Sequence, residues 1–150
     1  MILSADTNLL VYAQDNRDVD KQRSAQLLIQ TLVDSGTHRL ALQVAGELFS
    51  VLTRRLKMPT DIARDATAAY LALFDTYEYS NADVHSALSL SADGVFSYWD
   101  GLLVTSAARS GCHCLISEDM QNGFRYGDLE IVTPFSDGRP NPRLLQLLSS

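Results

Sequence analysis

The stretch ILSADTNLLVYA, residues 2 to 13, changes period partway along. ILSA at 2 to 5 is a short apolar run of the kind that makes a buried strand, whereas TNLLVYA resumes its apolar residues at the spacing of a short helix. Asp6 stands at the join. Whether the chain forms one α/β sheet depends on whether this order, strand then helix, recurs downstream.

It recurs. RLALQ (39 to 43), CHCLIS (112 to 117) and LEIVT (129 to 133) are short, apolar-rich and bounded by turn or polar residues, and each is expected to be a strand. Longer helical patterns lie between them. Ala25, Leu28 and Leu32 share one face, as do Val44, Leu48, Val51 or Leu52, and Leu56. A further helix is predicted over about 60 to 75, where Ile62, Ala66, Ala69, Tyr70 and Leu73 align, with others over about 81 to 91 and 98 to 110. Strands separated by helices of this length pair in parallel through crossovers, which predicts a three-layer α/β sandwich with a short parallel sheet flanked by helices. In such sheets chemistry is done at the carboxyl ends of the strands, where the following helices begin. The expected division is a domain over 1–135 and an extension over 136–150, in which RLLQLL at 143 to 148 forms a short docking helix.

The bulk properties bound the alternatives. In 150 residues, 46% hydrophobic and 20% charged content suffices for one domain with a real core. No apolar run reaches the roughly 18 to 20 residues of a membrane span, and no basic segment followed by an apolar one opens the chain, so a soluble cytoplasmic protein is expected. Cys112 and Cys114 alternate with His113 in an extended stretch and read as buried thiols, since no second Cys or His pair follows at a zinc-site spacing. A net charge of −6 disfavours a passive nucleic-acid binder that works through a broad basic face. The one basic cluster, RRLK at 54 to 57, falls at a predicted helix end, where it complements the helix dipole or meets RNA backbone.

Four carboxylates fall at the catalytic edge of the expected sheet. Asp6 follows the first strand and is also a good N-cap. Glu47 lies near the start of the helix after the second strand, at the rim of its buried stripe. Asp100, three residues after Ser97, has the spacing of a capping box. Asp119 follows CHCLIS, with Glu118 beside it as a competitor for the same role. Each acid has an ordinary explanation, yet all four come to one edge. Carboxylates at close range raise one another's pKa and stay ionised only beside a cation. Oxygen-only ligands select Mg²⁺ or Mn²⁺, ions that keep several waters and share their coordination with substrate phosphate.

The segments ADTNLLVYAQD (5 to 15), LQVAGELFSVLTRRL (42 to 56), SYWDGLLVTSAARSGCHCLISEDMQNG (97 to 123) and LEIVTPF (129 to 135) resemble, in order and spacing, the PIN-domain ribonucleases, and among them the VapC-type toxins of bacterial toxin–antitoxin pairs. The resemblance places the family's acidic quartet on Asp6, Glu47, Asp100 and Asp119. Asp6 and Asp100 become the central metal ligands, Glu47 completes the shell or orients a water, and Asp119 acts directly or through water. Thr7, Asn8 and Ser117 match positions that support the site or touch substrate. Gly46 and Gly101 stand where many relatives carry Asn and Ala. The resemblance implies a small endoribonuclease using Mg²⁺ or Mn²⁺, commonly a homodimer, held inactive by a cognate antitoxin whose basic segment blocks the acidic site.

Other α/β proteins with acids at strand ends fit less well. A receiver domain wants a paired acid after the first strand and a lysine ending the last, and the only lysines here, Lys21 and Lys57, lie in helical segments. A haloacid-dehalogenase-like phosphatase wants a second Asp two positions after the first, where this chain has Asn8. The alternative from another class is a PIN-fold module that binds RNA or protein without cleaving.

Overall fold

Strand β1 (Leu3–Ala5) is the centre of the molecule and runs through Asp6 straight into α1 (Thr7–Gln14), as the opening stretch predicts. The computed structural model describes residues 1–150. Next come α2 (Val19–Ser35), β2 (His38–Ala41), α3 (Leu42–Arg54), α4 (Thr60–Leu73), β3 (Asp75–Tyr77), α5 (Asn81–Ala92) and α6 (Tyr98–Arg109). β4 (Cys114–Ile116), β5 (Arg125–Tyr126), β6 (Leu129–Val132), β7 (Phe135–Ser136), β8 (Arg139–Pro140) and α7 (Pro142–Leu148) complete the chain.

The main sheet has the order β3-β2-β1-β4-β6-β5 and is parallel except for β5, which runs antiparallel to β6. The register that matters for function pairs Leu3 with Cys114 and Ala5 with Ile116, so β1 and β4 end side by side. Strands β1, β2, β4 and β6 are buried along almost their whole length, as expected when helices cover a parallel sheet. Leu3, Leu40, Leu115, Ile116 and Ile131 are fully buried, each contributing about 1.5–3 kcal/mol of transfer free energy. Cys112 and Cys114 are buried free thiols, and burial pushes their ionisation up to about 11 and about 12.

α2 buries Ala25, Leu28, Ile29 and Leu32, and it ends at Gly36, whose φ of +65° is left-handed. α3 buries Val44, Ala45, Leu48 and Leu52. The face expected for α4 is corrected. Ala63, Thr67 and Tyr70 turn inward while Ile62 and Leu73 are exposed. Thr67 tolerates the interior because its hydroxyl donates to the Ala63 carbonyl at 2.9 Å, a solution that a search for apolar periodicity passes over. The same helix stops at Leu73, and the three residues of β3 then pair with β2 as an edge strand. β5 and the β7–β8 hairpin were also not anticipated, each strand being two residues long. Over 143–148 the tail does form a helix. Asn141 caps α7, Pro142 takes its first position, and Leu144 and Leu147 pack into the core.

His38 opens β2 and lies against Phe74. Its Nε2 accepts the Ala5 N–H at 3.0 Å, beside the functional edge, while its Nδ1 is buried without a partner. Burial holds this imidazole neutral, with its pKa down at about 4.

Candidate active site

Asp6 directly follows β1 and is the N-cap of α1. Its Oδ1 accepts the Thr7 N–H at 2.7 Å, and its Oδ2 accepts the Ser117 hydroxyl at 2.9 Å. Ser117 directly follows β4, and the Asp6 N–H donates to the Ile116 carbonyl at 2.8 Å, so the β1–β4 pairing sets this arrangement. Burial is the largest influence on the Asp6 carboxyl and pushes it up to about 6. The Thr7 N–H and Ser117 hydroxyl oppose the rise, and the charges of Glu47 and Asp100 reinforce it.

Glu47 comes from α3, which springs from the end of β2, and its Oε2 accepts a hydrogen bond from the Thr7 hydroxyl. Asp100 lies in the first turn of α6. Ser97 Oγ accepts the Asp100 N–H at 3.2 Å, but the reciprocal bond from the Ser97 N–H to the Asp100 carboxylate is not made. Only half of the expected capping box exists. The complete box belongs to Ser80 and Asp83 of α5. Burial raises the Asp100 pKa, the Ser97 hydroxyl works against that, and the charges of Asp119 and Glu47 add to it.

Asp119 and Glu118 have separate partners. Asp119 Oδ2 accepts from Asn8 Nδ2 at 2.6 Å. Glu118 accepts from the Tyr12 hydroxyl, and the Lys21 ammonium lies 3.8 Å from it. Asp119 bears on Asp100, whereas Glu118 is engaged by α1 and α2.

Three polar residues thus hold three acids: Ser117 holds Asp6, Thr7 holds Glu47 and Asn8 holds Asp119. The charges of Glu47 and Asp100 bear on Asp6, and those of Asp119 and Glu47 bear on Asp100, so Asp100 and Glu47 link the set. They stop short of a closed ligand shell, since no three Asp, Glu, His or Cys side chains come together in metal-holding geometry. Chemically the donor set suits a hard divalent ion. It is all oxygen and of one sign, and a carboxyl held at about 6 is one that a nearby cation would keep ionised.

The parts of the site that sequence reasoning missed are Lys21 and the bond from Tyr12 to Glu118. A signal for the second existed. Asn8 and Tyr12 are one helical turn apart on α1, and the acids they meet are adjacent in the chain.

No family model and no curated protein matches the sequence. Solved structures do. The chain is similar to Mycobacterium tuberculosis VapC20, a sarcin-ricin loop cleaving toxin, with a TM-score of 0.64 and 16% identity over 78% of this chain and 89% of that one. It is similar to a chain of VapBC2 from Rickettsia felis, solved bound to a DNA fragment from their promoter (TM-score 0.62, 17% identity, 89% of this chain and 98% of that one). DNA-bound VapBC from Salmonella typhimurium gives a TM-score of 0.63 at 11% identity, again over 89% and 98%. The mostly parallel sheet, its flanking helices and the near-complete coverage agree: this chain has the PIN-type α/β fold of the VapC toxins.

Proposed function

We propose that this protein is a Mg²⁺- or Mn²⁺-dependent endoribonuclease that hydrolyses RNA phosphodiester bonds, and that it is the toxin of a toxin–antitoxin pair. The observation that supports the reading is a set of carboxylates from separate segments held by neighbouring polar side chains, Asp6 by Ser117, Glu47 by Thr7 and Asp119 by Asn8, with Asp6 raised to about 6 chiefly by burial. A merely structural edge gains nothing from such an arrangement, which costs stability. A bound divalent ion supplies an activated water at neutral pH and stabilises charge that develops on the phosphate.

Asp6 and Asp100 are the acids proposed to hold that ion, with Glu47 completing its shell or orienting the water and Asp119 acting on the far side. Ser117 and the Thr7 N–H fix the rotamer of Asp6, so the carboxylate is already aimed before ligand arrives. Thr7 and Asn8 do the same for Glu47 and Asp119. The toxin role draws on the fold neighbours, one a loop-cleaving toxin and two from VapBC structures. It brings with it a cognate antitoxin, a homodimeric form and a cytoplasmic setting. No helix is long and apolar enough to cross a membrane.

The test is to incubate the purified protein with RNA in Mg²⁺, in Mn²⁺ and in chelator, alongside Asp6→Asn and Asp100→Asn. Cleavage that needs the metal and vanishes in both variants is the expected result. Undiminished cleavage in both variants would identify a contaminating nuclease. Folded protein that binds RNA without cutting it would leave the non-cleaving PIN-fold module as the better description.

A further inference from the structure

Beside the acids lies a feature of opposite sign. Two adjoining cavities of about 420 and 290 Å³ share Asp15 and Arg17, and between them they present Arg17, Lys21, Arg55 and Lys57. A chain of net charge −6 thus gathers four of its twelve Lys and Arg residues on one track. The acids that also line it are spoken for. Asp15 is gripped by the Arg17 guanidinium at 2.9 and 2.8 Å, and Asp18 caps α2 by accepting the Lys21 N–H at 3.1 Å. Arg55 and Lys57 are exposed and pair with no carboxylate. Lys57 is held at a φ of +56°, in the left-handed region that glycine occupies at least cost.

One end of the track abuts the acidic rim. The Lys21 ammonium sits 3.9 Å from the centre of the Tyr12 ring and 3.8 Å from Glu118, and Glu118 is the chain neighbour of Asp119. We infer that Arg17, Lys21, Arg55 and Lys57 form a landing track for the phosphate backbone of the RNA strand, with Tyr12 and Lys21 at the step between track and acids. The inference rests on the ribonuclease reading above and deepens it. An acidic chain whose catalytic edge repels phosphate needs a local cationic lead-in, and of the four cations Arg55 and Lys57 are the unpaired ones that can exchange counterions for phosphates, while Arg17 and Lys21 are already engaged by Asp15 and Glu118. The same charges would suit an acidic protein segment, but only a strand held at the acids would extend naturally over ground this close to them.

The test measures binding of a fluorescent single-stranded RNA to the full chain carrying Asp100→Asn, in Mg²⁺, as salt is varied. Added to that background, Arg55→Gln and Lys57→Gln should each weaken binding about five-fold at 0.1 M salt and lower the salt slope by about 0.7, the signature of one lost contact to a single strand. In the cleaving protein the double variant should raise KM with kcat nearly unchanged. Arg125→Gln on the edge strand β5, outside both cavities, removes one positive charge and should change neither. The inference is overturned if the double variant keeps its RNA affinity and salt slope while the parent binds and cuts RNA. It is equally overturned if Arg125→Gln weakens binding as much, or if the double variant loses only an acidic protein partner. A parent protein that neither binds nor cuts RNA removes the ribonuclease reading itself, a result distinguishable from these.

Discussion

Thr7 and Glu47, 40 residues apart in the chain, are joined by a hydrogen bond from the threonine hydroxyl to the glutamate Oε2. The first residue of α1 thereby sets the position of an acid on α3. Thr7→Val removes that hold while keeping the side-chain volume. Metal-dependent cleavage should fall by about 10- to 100-fold, the usual effect of deleting a group that orients a metal-site ligand. Stability should change by only about 1 kcal/mol, because Glu47 is exposed and water can take the hydroxyl's place. Thr7→Ser should restore most of the activity. Single-turnover rates and urea unfolding of the three proteins decide the matter, and full activity in Thr7→Val would refute the role.

Stability against pH should report two buried groups of opposite sign. Asp6 has a folded pKa of about 6 against 3.8 unfolded, so the native state holds its extra proton between those values, and stability from this group falls as pH rises through the window. His38 has a folded pKa of about 4 against 6.5 unfolded, so the unfolded state takes up the proton first, and stability from this group rises over nearly the same window. Each is worth about 3 kcal/mol at its full extent, and the parent protein should be almost level between pH 4 and 6. Asp6→Asn uncovers the histidine. It should match the parent below about pH 4, then gain with pH until it is about 2–3 kcal/mol more stable at pH 7.5 in chelator, while being inactive throughout. Urea denaturation at half-unit steps tests this, and equal stabilities at pH 7.5 would contradict it.

The adjacent acids 118 and 119 should separate cleanly. Asp119 is held by Asn8 and acts on Asp100, while Glu118 is occupied by Tyr12 and Lys21. Asp119→Asn should cost at least about 100-fold in kcat, within the range for losing a group that acts on the reacting atoms. Glu118→Gln should keep kcat within a few-fold of the parent. The reverse order of effects would assign the fourth acid to Glu118.

Gly101 follows Asp100 inside α6, and a methyl group there would sit 3.6 Å from the Ala87 Cα, an ordinary contact. Gly101→Ala should stabilise the protein by about 0.5–1 kcal/mol by limiting the unfolded chain and favouring helix. Thermal unfolding should move up by about 1 to 4 °C with activity intact. A lower melting temperature would mean that α5 and α6 pack more tightly than the contact implies.

The sandwich was legible because its central strands are short, apolar-rich and bounded by turn or polar residues, and α2 and α3 keep a regular stripe. What escaped were pieces whose existence depends on partners distant in sequence. β3 has three residues, only Tyr77 of them buried, and is a strand because β2 lies alongside it. Element order alone suggested one edge for the four acids; the structure ties Asp6 to Ser117, Glu47 to Thr7 and Asp119 to Asn8, and no three of the acids close into metal-holding geometry. Their supports could not be derived this way: that Ser117 reaches Asp6, or that Asp100 declines to close its capping box, depends on side-chain torsions. The RRLK cluster shows the same limit. Arg55 and Lys57 read as a helix terminus in one dimension, and only the approach of the segment joining α1 to α2 sets them in two adjoining cavities that meet at Asp15 and Arg17.

The bonds from Ser117 to Asp6 and from Asn8 to Asp119 each span 111 residues, and both depend on β4 lying against β1. A chain emerging from the ribosome carries Asp6 and Glu47 long before β4 is made and can pair with β1, and loop closure over such a distance comes late. A product that ends before β4 would therefore carry the first three acids without Ser117 to hold Asp6, and without Asp119 at all.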